Sequence, residues 1–247
     1  MGPLAGASVS SVHAMRQDGC AILFLRQPDR GQVKTRLAAV TWTDRATDLY
    51  RCFVEDTVSM LDGLQVHTKC FYDGADGSTY LNRWLGESRW YARQRGDDLG
   101  RRMANAFRDV FAAGFSRAVL IGSDLPDLPG EMVRNAFSAL DAHDAVIGPS
   151  TDGGYYLIGF TASSFLPAAF DGVPWSTDRV FEETMESLDS GDVKTSVLPP
   201  WQDVDTWEDI GDLIRRSRRT SFRESRTWAF LGRCGWIDGM EGSDGDV

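Results

Sequence analysis

Four segments of the chain carry side chains whose types and spacing suit phosphate, metal and proton chemistry. RQPDRGQVKTRL, at 26–37, sets Arg26, Arg30, Lys34 and Arg36 against a single acid, Asp29, with Pro28 and Gly31 shaping the turn. Lysine and arginine charge, with free backbone N–H groups ahead of a helix, suits phosphate oxygens. The segment is not a P-loop, because Lys34 follows Gly31 without the preceding glycine of that motif. No G-x-G-x-x-G occurs either, which argues against a dinucleotide dehydrogenase. GSDLPDLP, at 122–129, offers Asp124 as a hard oxygen ligand for Mg²⁺ or Mn²⁺ on a diphosphate, or as a turn residue, with Asp127 placed to begin the next helix. STDGGYYLIGF, at 150–160, offers Asp152 for a substrate hydroxyl or as a base, and Gly153-Gly154 for close backbone approach or a tight turn. In QDVDTWEDI, at 202–210, Asp205 is either a helix cap with Glu208 or a second metal carboxylate, and spacing alone favours the cap.

Positioning these groups requires strands that end at them. AILFL at 21–25 reads as a buried strand that runs into the basic loop, and AVLIG at 118–122 as one that runs into Asp124. AVIG at 145–148 and YYLIGF at 155–160 read as strands around the Asp152 turn, and further strands are expected near 64–72 and 193–198. Helical patterns fill the gaps at 44–61 with Thr43 as N-cap, at 98–113, from Pro129 to Leu140, at 178–188 and after Asp205. The alternation predicts an α/β fold with a mostly parallel central sheet flanked by helices, one or two late strands running antiparallel. In such sheets ligands bind beyond the carboxyl ends of the strands, where the four loops fall.

Composition narrows the partners. With 247 residues, 26 Lys+Arg and 36 Asp+Glu, the net charge of −10 disfavours nucleic acid and anionic membranes. No apolar stretch approaches a membrane span and no signal-peptide pattern opens the chain, so a cytoplasmic protein is expected. The four cysteines, Cys20, Cys52, Cys70 and Cys234, lack metal or disulfide spacing and read as reduced thiols. Residues 1–17 read as a flexible leader, 18–220 as one domain, and 221–247 as a tail ordered in part at most. The basic run at Arg215, Arg216, Arg218 and Arg219 reads as a solvated helix end.

GQVKTRLA, GDDLGRRMANAF (96–107), GSDLPDL, STDGGYYLIGF, PWSTDRVFEET (174–184) and DVDTWEDI occur in this order. Together they resemble a bacterial family of nucleotide-diphospho-sugar transferase-like proteins, often labelled glycosyltransferases and in part associated with arsenosugar biosynthesis. The resemblance covers roughly residues 20–215 and implies a GT-A type fold, a Rossmann-like three-layer sandwich. It implies a nucleotide sugar or NTP and a small acceptor as partners, with Mg²⁺ or Mn²⁺ as cofactor. Under it, Lys34 and Arg36 hold donor phosphates beside Arg26, Arg30 and Gly31, and Asp124 and Asp205 hold the metal. Asp98 and Leu99 lie near the base or ribose, Asp152, Gly153 and Gly154 near the acceptor, and Trp175 and Ser176 contribute to substrate binding. Part of the pattern also resembles 2-phospholactate guanylyltransferase, through the Lys34-Thr35-Arg36-Leu37 loop after the first strand. The expected activity is transfer from a nucleotide sugar. Nucleotidyl transfer from an NTP is the alternative, and nucleotide binding without turnover a third.

Overall fold

The computed structural model describes residues 18–75 and 77–241. Its seven strands are β1 (Gly19–Arg26), β2 (His67–Asp73), β3 (Trp90–Arg93), β4 (Arg117–Ile121), β5 (Ala145–Pro149), β6 (Tyr155–Thr161) and β7 (Thr195–Val197). They form one sheet in the order β3-β2-β1-β4-β6-β5-β7. Only β6 opposes its neighbours, β4 and β5; the other pairings are parallel. The helices are α1 (Thr35–Thr41), α2 (Thr43–Leu64), α3 (Gly77–Leu85), α4 (Leu99–Ala112), α5 (Gly130–Ala139), α6 (Val180–Ser190), α7 (Trp207–Ser217), α8 (Arg226–Arg233) and α9 (Trp236–Glu241).

The unbroken apolar run of β1 follows from burial on both faces. Ala21, Leu23 and Leu25 pack with Val54 and Leu61 of α2 and Val133 and Phe137 of α5. The alternate residues Cys20, Ile22 and Phe24 pack with Met103, Phe107 and Val110 of α4 on the opposite face. Complete burial of a side chain such as Phe107 contributes on the order of 2–3 kcal/mol. A third cluster joins Leu37 of α1, Leu49 and Phe53 of α2, and Ile210 and Ile214 of α7. All four cysteines are free.

The chain leaves β1 through α1 and α2 to β2 on one side, and returns through α4 to β4 on the other. Beyond the carboxyl ends of β1 and β4 this reversal opens the crevice where ligands bind in α/β sheets. The basic loop and the Asp124 loop both start there.

Several local expectations are corrected. Trp42, not Thr43, is the N-cap of α2, without a side-chain cap bond, and Pro129 is the N-cap of α5 rather than its first helical residue. Residues 221–241 are not a tail: a 3₁₀ turn (Ser221–Glu224), α8 and α9 bury Phe230, Leu231 and Trp236 in the third cluster. The buried Asp56 carboxylate accepts the first amides of α8, from Arg226 at 3.0 Å and Thr227 at 2.8 Å. The expected leader at 1–17, and 242–247, lie outside the described residues.

Candidate active site

Lys34 stands just before α1 in the left-handed conformation, φ 48° and ψ 46°. That backbone state costs a non-glycine residue roughly 1–2 kcal/mol. Its side chain is 3 % exposed, and its Nζ lies 2.5 Å from Asp124 Oδ1 and 2.6 Å from Asp205 Oδ1. The same ammonium donates to the Val204 carbonyl at 2.6 Å. All three ammonium hydrogens therefore have acceptors. Burial alone would lower the Lys34 pKa, but attraction to Asp124 and Asp205 outweighs it and holds the group above the ordinary lysine range.

Three supports bring the two carboxylates to this point. First, Val204 N–H donates to the Asp124 carbonyl at 2.9 Å, which ties the two loops. Second, Asp127 forms a bidentate pair with Arg216 of α7, at 2.6 and 2.8 Å, and Arg216 also donates to the Gln202 carbonyl at 3.0 Å. Asp127 is thus an ion-pair partner rather than the start of α5, and Arg216 is no solvated helix end. Third, α7 is capped by Thr206 with Asp209, whose Oδ2 accepts from Asp205 N at 2.9 Å and Thr206 N at 2.7 Å. The expected capping role of Asp205 thereby falls one residue later, and its carboxylate is left for Lys34.

Tyr50 of α2 joins the ends of β1 and β4. Its hydroxyl accepts from Arg26 N at 2.8 Å and shares a hydrogen bond with Ser123 Oγ at 2.9 Å. Burial, then repulsion from Asp124, pushes its pKa up to about 12, so it stays protonated.

Asp203 completes an acidic group that sequence reasoning missed. Its Oδ1 accepts from Ser150 Oγ at 3.2 Å. Burial, then repulsion from Asp205, Asp152 and Asp124, pushes its pKa from 3.8 up to about 6. A raised carboxyl pKa disfavours the folded state once the group ionises, so this penalty appears as pH rises from about 4 to about 6. Asp203→Asn keeps an acceptor for Ser150 and is expected to stabilise the metal-free protein at pH 7–8 by ~1–2 kcal/mol, after discounting for partial exposure. Urea unfolding should show that gain vanishing towards pH 4; a gain equal at both pH values would refute the charge explanation.

The other expected site residues fall as follows. Arg26 and Arg36 are exposed, and Arg30 pairs with Asp44 at 2.7 Å. Gly31 takes φ 76° beside Thr43. Asp98 caps α4 by accepting from Arg101 N at 2.7 Å, and Leu99 is 45 % exposed. Asp152 accepts from Gly154 N at 3.0 Å. The close approach expected at Gly153 is to the chain itself: at φ 89°, an added Cβ would lie 2.1 Å from the Asp178 carbonyl oxygen. Trp175 packs against Gly100 and edge-on to Tyr155, with Ser176 next in the left-handed region at φ 68°. A cavity of about 320 Å³ lies between α4 and the 3₁₀ turn Pro167–Phe170, lined by Arg101, Asn105 and Arg108, and shares no residue with the Lys34 cluster.

Residues 57–177 match the family model described as an uncharacterized protein conserved in bacteria (DUF2064). A crystal structure described as a "putative nucleotide-diphospho-sugar transferase" from Desulfovibrio desulfuricans G20 is 41% identical, with TM-score 0.86 over 90% of this chain and 97% of that one. The chain belongs to the DUF2064 family. Its sheet has the nucleotide-diphospho-sugar transferase-like architecture. The fold is shared more distantly with 4-diphosphocytidyl-2C-methyl-D-erythritol synthase from Anaerococcus prevotii DSM 20548, at 13% identity and TM-score 0.56 over 86% of this chain and 100% of that one. A nucleotidyl transferase from Methanothermobacter is similar in fold at 15% identity and TM-score 0.55, over 83% and 100%. No curated protein matches the chain. Among the described residues, no helix is long and apolar enough to cross a membrane.

Proposed function

We propose that this DUF2064 protein is a divalent-metal-dependent transferase that moves a sugar from a nucleotide-diphospho-sugar to a small acceptor. The observation that carries this reading is the convergence of Asp124 and Asp205 on one point beyond the ends of β1 and β4. The name given to the Desulfovibrio relative agrees with it.

The residues present fit Mg²⁺ or Mn²⁺. Two carboxylates, 44% and 42% exposed, offer hard oxygens. Among the described residues, no cluster of three or more His, Cys, Asp or Glu is assembled for a metal. Such ions are often held by one or two carboxylates, with substrate phosphates completing the shell. Burial is the main cause of the raised Asp203 pKa, and repulsion from Asp205, Asp152 and Asp124 adds to it; a cation would lessen that second part.

When bound, the metal supplies charge neutralisation at the leaving diphosphate. The chain's own residues do the rest. Arg26, Arg30 and Arg36 bind phosphate oxygens from the exposed 26–36 segment, Lys34 shares the charge of the leaving diphosphate, and Asp152 orients or deprotonates the acceptor hydroxyl. Preorganised charge of this kind is usually the largest catalytic term.

Thermal shift against nucleotide sugars, nucleoside diphosphates and NTPs, with and without Mn²⁺, tests this function. A ligand at about 100 times its Kd adds about 2.7 kcal/mol, a shift of roughly 5–11 °C for a domain of this size. One nucleotide sugar should stabilise more than its parent diphosphate, only with metal, and nucleoside diphosphate should then be released when acceptor is added. Stabilisation by an NTP alone, with pyrophosphate released, would replace glycosyl transfer with nucleotidyl transfer.

A further inference from the structure

Lys34 stands in the place that the preceding reading gives to a divalent cation. Its Nζ is within 2.6 Å of both candidate metal carboxylates, and its side chain is 3% exposed. The chain uses lysine sparingly: Lys34, Lys69 and Lys194 are its only lysines among 26 basic residues. An ammonium is a compact point charge, whereas a planar guanidinium needs a flat two-pronged partner. Of the side chains available, lysine is the closest in shape to a small cation. The carbonyl of Val204 takes its third hydrogen at 2.6 Å, so the position is specified by three acceptors and not by charge alone.

Two features bear on how firmly Lys34 holds this place. Lys34 sits at the junction of a loop and α1 in the left-handed region, with no side-chain bond capping the helix. A residue held in that region carries backbone strain that a change of its φ and ψ would relieve. Arg26, the last residue of β1, and Arg36, the second of α1, are exposed at either end of the basic segment, so an arriving polyphosphate meets positive charge close to Lys34 in sequence.

We propose that Lys34 makes divalent-metal binding conditional on the polyphosphate: its ammonium fills the gap between Asp124 and Asp205 until a metal-chelated nucleoside diphosphate group arrives, then transfers to the phosphate oxygens. The inference rests on the metal role proposed for Asp124 and Asp205. It makes the metal–nucleotide chelate, rather than free metal followed by nucleotide, the species that binds. Opening the site to bare cation is thereby avoided, because the two carboxylates never face solvent without a positive partner.

Binding of Mn²⁺ alone to the full chain, read from the loss of the free-ion electron paramagnetic resonance signal, tests it. Lys34→Met retains length and removes charge, and it should bind Mn²⁺ at least tenfold more tightly than wild type without any nucleotide. Lys34→Gln serves the same purpose if the methionine variant does not fold. Lys34→Arg, charged but misshapen for the gap, should fall between them. Equal Mn²⁺ affinity in wild type and the neutral variants would overturn the gate, provided that adding Asp124→Asn to the neutral variant still weakens binding. If Asp124→Asn leaves Mn²⁺ binding of the neutral variant unchanged, the metal role of the carboxylates itself fails, and with it the gate.

Discussion

Asp124→Asn is expected to lower kcat for metal-dependent turnover by roughly 10²–10³-fold, the usual cost of deleting one preorganised electrostatic contact to developing charge. Asparagine keeps the volume of the side chain and one acceptor for Lys34, while Asp205 and the Val204 carbonyl retain theirs. Folding should therefore survive, and the melting midpoint should stay close to that of wild type. The loss belongs in kcat more than in KM, because the charge on the leaving diphosphate grows towards the transition state. Release of nucleoside diphosphate, followed under saturating nucleotide sugar and Mn²⁺, measures it. Full turnover in the asparagine variant would remove Asp124 from the chemistry and leave it as a partner of Lys34 alone.

The fold was legible in the sequence because its signals are local. The unbroken apolar run at 21–25 suits a strand buried on both sides, and Leu49, Phe53 and Val54 recur at helical spacing, with Val54 packed in the first cluster and Leu49 and Phe53 in the third. Short α1 and edge elements such as β3 lack such runs: α1 buries only Leu37 and Thr41, and no β3 residue is fully buried. The end of the chain misleads for a related reason. Its Gly-rich, acidic composition resembles a tail, yet Phe230, Leu231 and Trp236, just ahead of that stretch, are buried in the cluster with α2 and α7.

The site was legible as separate loops but not as an arrangement. Lys34, Asp124 and Asp205 could be named from residue type and position, yet their mutual contact depends on the strand order, which brings loops distant in sequence to one crevice. Asp203 escaped because nothing local separates it from Asp205; only its burial among Asp205, Asp152 and Asp124 does so. Arg216 escaped because a run of four arginines between 215 and 219 looks like solvated charge. The three-dimensional signal that sets it apart is the Asp127 carboxylate, which is 4% exposed beneath it.

That pair predicts the largest effect on stability. Arg216 holds Asp127 through two hydrogen bonds, with Trp201 Nε1 contributing a longer contact at 3.4 Å. Arg216→Met strips the guanidinium but keeps much of the apolar stem, so Asp127 is left buried, charged and nearly alone. Breaking a buried pair in this way typically costs about 3–5 kcal/mol, far more than the pair contributes relative to apolar neighbours. For a domain of this size each kcal/mol moves the melting midpoint by roughly 2–4 °C, so calorimetry should show a drop of roughly 6–20 °C. Adding Asp127→Asn removes the stranded charge while keeping an acceptor for Trp201, and should recover more than half of the loss. If the double variant is no more stable than Arg216→Met, the cost lies in lost packing against Gln202 and Trp201 rather than in charge. The clamp also connects stability to the site, since Asp127 lies three residues from Asp124 and Arg216 grips the loop that carries Asp205. Metal binding by the folded fraction of Arg216→Met should weaken, and the double variant should not restore it even where the midpoint recovers, because both variants lack the guanidinium that ties Asp127 to the Gln202 carbonyl.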